Sequence, residues 1–386
     1  MPYINKLTTI PKKLKTYPIF SVFGIELEYC IVDKNTFEIK SFARKLFKIL
    51  NSKNTYIYKN ITITNEMVDH VLEIKPTNPY SNFKELNNEF QECLKFLNKI
   101  LECYKLVLLP LSFHPTMKPN EAHIWTGKER SIYKTYDRLF GFNTHSFSNM
   151  QSLQITFPFQ TEKEMIKLHN SIRLVLPLLK YLSASSPYFE GKINGKISNR
   201  IFYFENSQAK LDAKLSSPIT DFLNNKQDYL NYLNKLLNIC NSYNVKNIKP
   251  QWFNSQGSMI KFNFSAIEIR TCDIQESIHS NLLLSEFIFN FVKYIYYNLE
   301  NLYIDSNILY EMFLEDTIKK EYLKLFNFNE NLSIEEFIKE ISLKINIFLP
   351  ENNLSKRLLN KFNTFSKNVF LEILNASNNN IKVTLL

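Results

Sequence analysis

The sequence predicts an α+β fold, a mainly antiparallel sheet with one apolar and one polar face, packed by helices and followed by a helical C-terminal part. Three observations carry this. Short segments alternate apolar and polar residues with the period of two that side chains take across a strand. Between them lie stretches with apolar residues at helical spacing. From Ser277 onward the pattern is almost wholly helical. No repeat, low-complexity tract or Gly/Ser linker interrupts the 386 residues, so 1–386 reads as a single domain.

Residues 1–20 read as an irregular lead-in, because Pro2, Pro11 and Pro18 prevent a long helix. VFGIELEYCIVD (22–33) is the first strand, with Glu26 and Glu28 on one face and Phe23, Ile25, Leu27 and Tyr29 on the other. SFARKLFKILNS (41–52) is an amphipathic helix, and TYIYKNITITNE (55–66) a hairpin-like pair of strands. HVLEIKPTN (70–78) is a strand ended by Pro76 and Pro79. Residues 83–106 have apolar positions at helical spacing, and VLLPLSFHP (107–115) is a short buried strand stopped at His114 and Pro115. ERSIYKTYDRLFGF (129–142) is a helix with a glycine stop, and NMQSLQITFPF (149–159) alternates as a strand. A Thr-x-x-Glu capping pattern at Thr161 opens a helix over 161–186 that Pro177 could bend. The turn-rich SPYFEGKINGKISNR (186–200) and a helix over 221–242 lead to a last strand pair around GSMIKFNFSAIEIRTCDIQ (257–275).

The formal charge of +10 comes from lysines dispersed through the chain, with no RNP-like, zinc-finger or basic-helix pattern, so nucleic acid is not an expected partner. No apolar run approaches the roughly 20 residues of a membrane span, and MPYINKLTTIPKKLK lacks the apolar centre of a secretory signal. Five scattered cysteines without a C-x-x-C pair argue against a disulfide framework or zinc ribbon and fit a reduced, cytoplasmic setting; Cys30 and Cys272 read as core filler. Only six glycines occur, where average usage would give about 27, and four lie beside the segments discussed below. These mark places that need tight turns or close approach.

Four strands far apart in sequence repeat one habit. Glu26 and Glu28 share a face; Glu73 lies between Leu72 and Ile74; Gln154 and Thr156 oppose Leu153, Ile155 and Phe157; Glu268 and Arg270 oppose Ile267 and Ile269. Gathered in one sheet, that face is too charged for a core and oddly acidic for a basic chain. Divalent cations would resolve the repulsion, and an arginine among them suits phosphate, since Mg2+ takes one or two carboxylates and completes its shell with water and phosphate oxygens. The plainer alternative is a set of independent strands with wet polar faces.

Over roughly residues 20–280 the sequence resembles the type-2 glutamate-cysteine ligases, within the wider carboxylate-amine ligase family. The resemblance runs in order through FGIELEYCIVD, NEMVDHVLEIKPTNP, the FHP after a buried strand, ERSIYKTYDRLFGF, SLQITFPF, PLLKYLSASSPYFEGKINGKISNR and AIEIRTCDIQES. It implies a curved, glutamine-synthetase-like sheet with its polar face as active site. It also implies ATP-dependent joining of a carboxylate, usually the γ-carboxylate of glutamate, to an amine through an acyl-phosphate. Cysteine, as in glutathione biosynthesis, is the commonest amine of the family. By matching motif, Glu26, Glu28, Glu73 and Glu268 would bind Mg2+, with Mn2+ as the substitute, and Gln154 would lie in the cofactor site. Arg200 and Arg270 would meet ATP, the transferring phosphate or the substrate carboxylate as catalytic groups.

The His-x-His of many members is Gln154-Ile155-Thr156 here, and the departure at Thr156 leaves open a nucleotide-binding homologue with impaired turnover; another amine or carboxylate stays open because no motif marks the amine pocket. The resemblance is silent on 281–386, whose helices either complete the catalytic domain or make a homo-oligomer contact. His114 reads as a structural residue, while Tyr188 and Phe189 either line a substrate pocket or pack the turn.

Overall fold

The alternation in VFGIELEYCIVD folds into β1, Gly24–Asp33, and its two faces set how the rest packs. In the computed structural model, which describes residues 15–127, 130–207, 217–245 and 253–381, β1 lies near the middle of an eight-stranded sheet. The order is β2 (Thr55–Tyr58), β3 (Ile61–Asn65), β4 (Val71–Pro76), β1, β6 (Ser152–Pro158), β10 (Ala266–Asp273) and β9 (Ser258–Lys261). All these pairings are antiparallel. The far half of β1 pairs instead with β5 (Leu106–Leu109). A separate two-stranded ribbon joins β7 (Tyr188–Phe189) to β8 (Lys192–Ile193).

The expected α+β class and mainly antiparallel sheet are those observed. The expected strand over 107–115 is shorter: it ends at Leu109, because Pro110 offers no N–H to continue a ladder. His114 therefore lies in the loop beyond. It is buried, its Nε2 is 2.8 Å from the Phe37 carbonyl, and its Nδ1 accepts from the Met117 N–H at 3.1 Å. These partners make it structural. The lead-in of residues 1–14 lies outside the described residues.

Ile25, Leu27 and Tyr29 point with Leu72, Ile74, Leu153, Ile155, Ile267 and Ile269 into one fully buried apolar face. The helix Glu162–Ser183 packs against β10 and against the helix Ile278–Asn298, which in turn meets Phe83–Glu102. Thr161 opens the first of these with the expected capping box, its hydroxyl accepting from Glu164 N–H at 3.2 Å. Pro177 is accommodated inside that helix, buried.

The C-terminal helices are part of the same packing. Leu354–Lys361 and Lys367–Asn379 supply Leu354, Leu358, Val369, Phe370 and Ile373 to a second cluster that covers Cys30 and Val32 at the end of β1. The apolar side chains of β1 beyond Glu28 thus have a cover on the polar side of the sheet, and the acidic row stops where this cover begins. No helix of the described residues is long and apolar enough to cross a membrane.

Candidate functional site

Strand register turns the dispersed polar pairs into one row. Glu28 lies opposite Glu73 across β1 and β4, Glu26 opposite Gln154 across β1 and β6, and Glu268 opposite Thr156 across β6 and β10. Gly24 also faces Thr156, and a Cβ built on it would come within 3.3 Å of the threonine Cβ, so a larger residue would crowd this row. The row borders a cavity of about 1020 Å³ whose wall includes Glu28, Glu66, Gln154, Lys261, Arg200 and Arg270. Tyr133, Tyr136 and Phe147 supply an aromatic part of the wall.

Three carboxylates converge. Oxygens of Glu28, Glu66 and Glu73 lie within 4.8 Å of one another. Glu28 is buried and pinned: the Ser152 N–H donates to one oxygen at 2.6 Å, and the Ser152 hydroxyl and Gln154 amide to the other at 2.8 and 3.0 Å. Glu73 accepts from the Thr64 hydroxyl at 2.9 Å and pairs with Lys75 at 2.5 Å. Burial and the charge of Glu26 push Glu73 up to about 8. Burial and then Glu73 push Glu66 well above the usual carboxylate range. Burial likewise raises the Glu28 carboxyl, with Arg200 and the Ser152 donors opposing. Hard oxygens gathered around one point, all three held up by burial, fit a divalent ion, which favours all three ionised forms at once.

The remaining acids are balanced differently. Glu26 lies between two ammonium groups, Lys75 at 3.4 Å and Lys261 at 3.9 Å. Burial opposes its charge, but Lys261 and Lys75 outweigh that and hold it down at about 2. Glu268 is buried, pairs with Lys261, and has the Arg270 Nε at 3.5 Å. The row therefore contains its own cations as well as acids, and repulsion is relieved in part by lysines that the alternation argument passed over.

The two arginines differ in setting. Arg200, in the helix Asn199–Asn206, is buried; its Nη2 donates to the Arg270 carbonyl at 2.9 Å and its Nη1 is 3.7 Å from Asp273. Asp273 is itself fully buried, and its Oδ2 accepts from the Ser185 N–H at 3.1 Å and from the Ser186 and Ser198 hydroxyls at 2.9 Å each. The serine-rich segment thus wraps one carboxylate that anchors Arg200. Burial raises the Asp273 carboxyl, with Arg200 and the serine donors opposing. Arg270 is about one-third exposed and donates to the Asn254 carbonyl at 3.1 Å.

All seven residues singled out from sequence, Glu26, Glu28, Glu73, Gln154, Arg200, Glu268 and Arg270, lie along this face. Four residues of the site were not singled out from sequence: Glu66, Lys75, Lys261 and Asp273. Glu66 directly follows β3, two positions beyond Thr64, and so continues the polar face on which Thr64 meets Glu73. Lys75 and Lys261 share faces with Glu73 and Glu268 by simple alternation. Asp273 is an odd number of positions from Glu268, so strict alternation puts it on the apolar side. A β-bulge between Ile269 and Cys272, two residues opposing one, resets the parity and brings Asp273 opposite Ser152. Tyr188 and Phe189 pack the turn: the Tyr188 hydroxyl donates to the Phe362 carbonyl at 2.9 Å, and Phe189 stacks on Tyr203. Cys30 and Cys272 are buried filler; burial pushes the Cys272 thiol up to about 12.

Residues 22–295 match the family described as glutamate-cysteine ligase family 2. An uncharacterized protein of Archaeoglobus fulgidus is 29% identical over 347 residues, covering 88% of this chain and 92% of its own. A Herpetosiphon aurantiacus protein named "Putative glutamate-cysteine ligase 2" is 23% identical over 267 residues, 68% of this chain and 62% of that relative, so the match spans less than two thirds of its length. A bifunctional glutathione synthetase from Pasteurella multocida superposes with a TM-score of 0.49 at 12% identity, over 94% of this chain and 51% of that one.

Proposed function

This chain belongs to glutamate-cysteine ligase family 2, and from the acidic face it carries we propose that it is an ATP-dependent, ADP-forming carboxylate-amine ligase. Its substrates on this reading are glutamate and an amine, with cysteine the first amine to test and other amines or carboxylates next. The observation that carries the proposal is the convergence of Glu28, Glu66 and Glu73 at the edge of a cavity whose wall includes Glu28, Glu66, Arg200 and Arg270. Carboxylates facing arginines across a cavity suit a nucleotide phosphate bridged by a divalent ion.

In the proposed reaction a γ-carboxylate oxygen of glutamate attacks the terminal phosphorus of ATP, and the bond to ADP breaks. The amine nitrogen then attacks the acyl carbon, phosphate leaves, and the amine proton passes to solvent. A divalent ion at the trio, Mg2+ or Mn2+, would neutralise phosphate charge during the transfer. Ser152 and Gln154 keep Glu28 oriented for that role, so Gln154 acts on the cofactor site through Glu28. Arg270, partly exposed in the cavity, is assigned the developing charge on the transferring phosphoryl group. Arg200 is held by Asp273 at the base of the face and is assigned the substrate carboxylate or a phosphate oxygen. No protein nucleophile is required, and no cysteine lines the cavity among the described residues.

Retention of both arginines and of all the acids favours an active enzyme over an impaired homologue. We place the whole of 1–386 in one catalytic domain, in which the helices Leu354–Lys361 and Lys367–Asn379 cover the end of β1. The test is ADP release from purified protein with ATP, Mg2+, glutamate and a panel of amines. ADP formed only when both carboxylate and amine are present supports the proposal, and no ADP under any combination overturns it.

A further inference from the structure

Lys261 ends β9 on the same face as Glu268, since Ala266 lies opposite Lys261 and Glu268 opposite Met259. Its ammonium group contacts Glu268 and stands 3.9 Å from Glu26, with the side chain 22% exposed. It therefore sits between two carboxylates from strands that flank β6, where a bridging cation would otherwise be needed. The trio is different: among the described residues neither Glu28 nor Glu66 forms an ion pair, and only Glu73 has an ammonium partner, Lys75. Counting the face as a whole, six carboxylates (Glu26, Glu28, Glu66, Glu73, Glu268 and Asp273) meet four cations (Lys75, Lys261, Arg200 and Arg270). Two negative charges remain, the charge of one divalent ion.

We propose that Lys261 is a resident cation that takes the place of a second divalent ion between Glu26 and Glu268, so that the nucleotide-free protein binds one divalent ion, at Glu28, Glu66 and Glu73. This rests on the reading of the acidic face as a metal site. An ammonium group satisfies two carboxylates by hydrogen bonds and charge at once, and a divalent ion entering between them would have to displace it while its own positive charge repelled it. Lys261 thus sets how many metals the protein holds before nucleotide arrives, and Glu26 and Glu268 act as its partners rather than as ligands in that state. The chain's Thr156 fits the same picture, because it faces Glu268 and offers a neutral hydroxyl in place of a strong metal ligand.

The experiment counts Mn2+ bound to nucleotide-free protein, by calorimetric titration and by the loss of the free-ion paramagnetic signal. The expected result is one ion per chain for wild type, none for Glu66→Gln, two for Lys261→Met and one for Lys261→Arg. Lys261→Gln carries the same expectation as Lys261→Met and serves if the methionine variant does not fold, with thermal melting as the check. Two or more ions on wild type, or a count that stays at one in the folded neutral variant, overturns the role of Lys261 while leaving the metal site standing. No binding to wild type overturns both.

Discussion

Asp273→Asn removes one charge from the base of the site while keeping the side-chain shape. In the native protein one carboxylate oxygen accepts three hydrogen bonds, from Ser185, Ser186 and Ser198, and the other faces Arg200 at 3.7 Å. An asparagine carbonyl is uncharged, so the three bonds lose their charge assistance, at a combined cost of about 1–3 kcal/mol. The amide NH2 is then directed at Arg200, which is buried and loses its nearest counter-charge; removing one partner of a buried pair typically costs about 3–5 kcal/mol. Arg200 retains the Arg270 carbonyl and the field of Glu28, which limits the loss, and the two contributions overlap. The expected destabilisation is about 4 kcal/mol. Urea unfolding at pH 7 followed by circular dichroism measures it. A change below about 1 kcal/mol would refute the claim that Asp273 anchors Arg200 and gathers the serine-rich segment.

Glu268→Gln leaves Lys261 and Arg270 short of a buried partner, so the metal-free protein should lose roughly 2 kcal/mol, read as a lower melting temperature; an unchanged or higher melting temperature would mean that carboxylate repulsion dominates the row. Arg270→Lys keeps the charge but loses the planar fork, and because the side chain is partly exposed the protein should still fold while turnover falls by roughly 10²–10³. Near-normal turnover would move the phosphate role to Arg200. His114 is buried, and burial, only partly offset by the Phe37 carbonyl, lowers its pKa from 6.5 to about 4. The unfolded chain takes up this proton first as pH falls, so its contribution is intact above about pH 6.5 and up to roughly 3 kcal/mol is lost as pH drops to about 4. Urea titrations at pH 7 and 4.5 should show a shallower acid loss for His114→Gln, and parallel losses would contradict the burial of a neutral imidazole.

The strands, their apolar face and six of the seven polar residues were legible because alternation is a local property, and each strand announces its own two faces; Arg200, on the helix Asn199–Asn206, was marked only by the family motif. Which strands are neighbours is not local, and neither is a bulge. Asp273 could not be placed on the polar face without knowing that two residues of β10 oppose one of β6. Glu66 is different: alternation reaches it, two positions beyond Thr64 on the face that Thr64 shares with Glu73, but it stands at the very end of its strand. Lys75 and Lys261 were legible in principle, being two positions from Glu73 and from Met259 on regular strands. Each is already paired with an acid of the row, Lys75 with Glu73 and Lys261 with Glu268, so its charge is spent inside the site. The short β5 shows the opposite case, where Pro110 gave a clear local stop that the apolar run through Phe113 obscured.

The central claim, activation of a carboxylate by ATP on this face, can be tested without knowing the natural amine. Glutamate carrying oxygen-18 in its γ-carboxylate is incubated with the protein, ATP, Mg2+ and hydroxylamine as a general amine. The account predicts γ-glutamyl hydroxamate, ADP in equal amount, and one oxygen-18 atom in each phosphate released, because the attacking carboxylate oxygen leaves with the phosphorus. Hydroxamate and ADP formed with phosphate free of the label would contradict the acyl-phosphate route, and ADP formed without hydroxamate would contradict ligation itself.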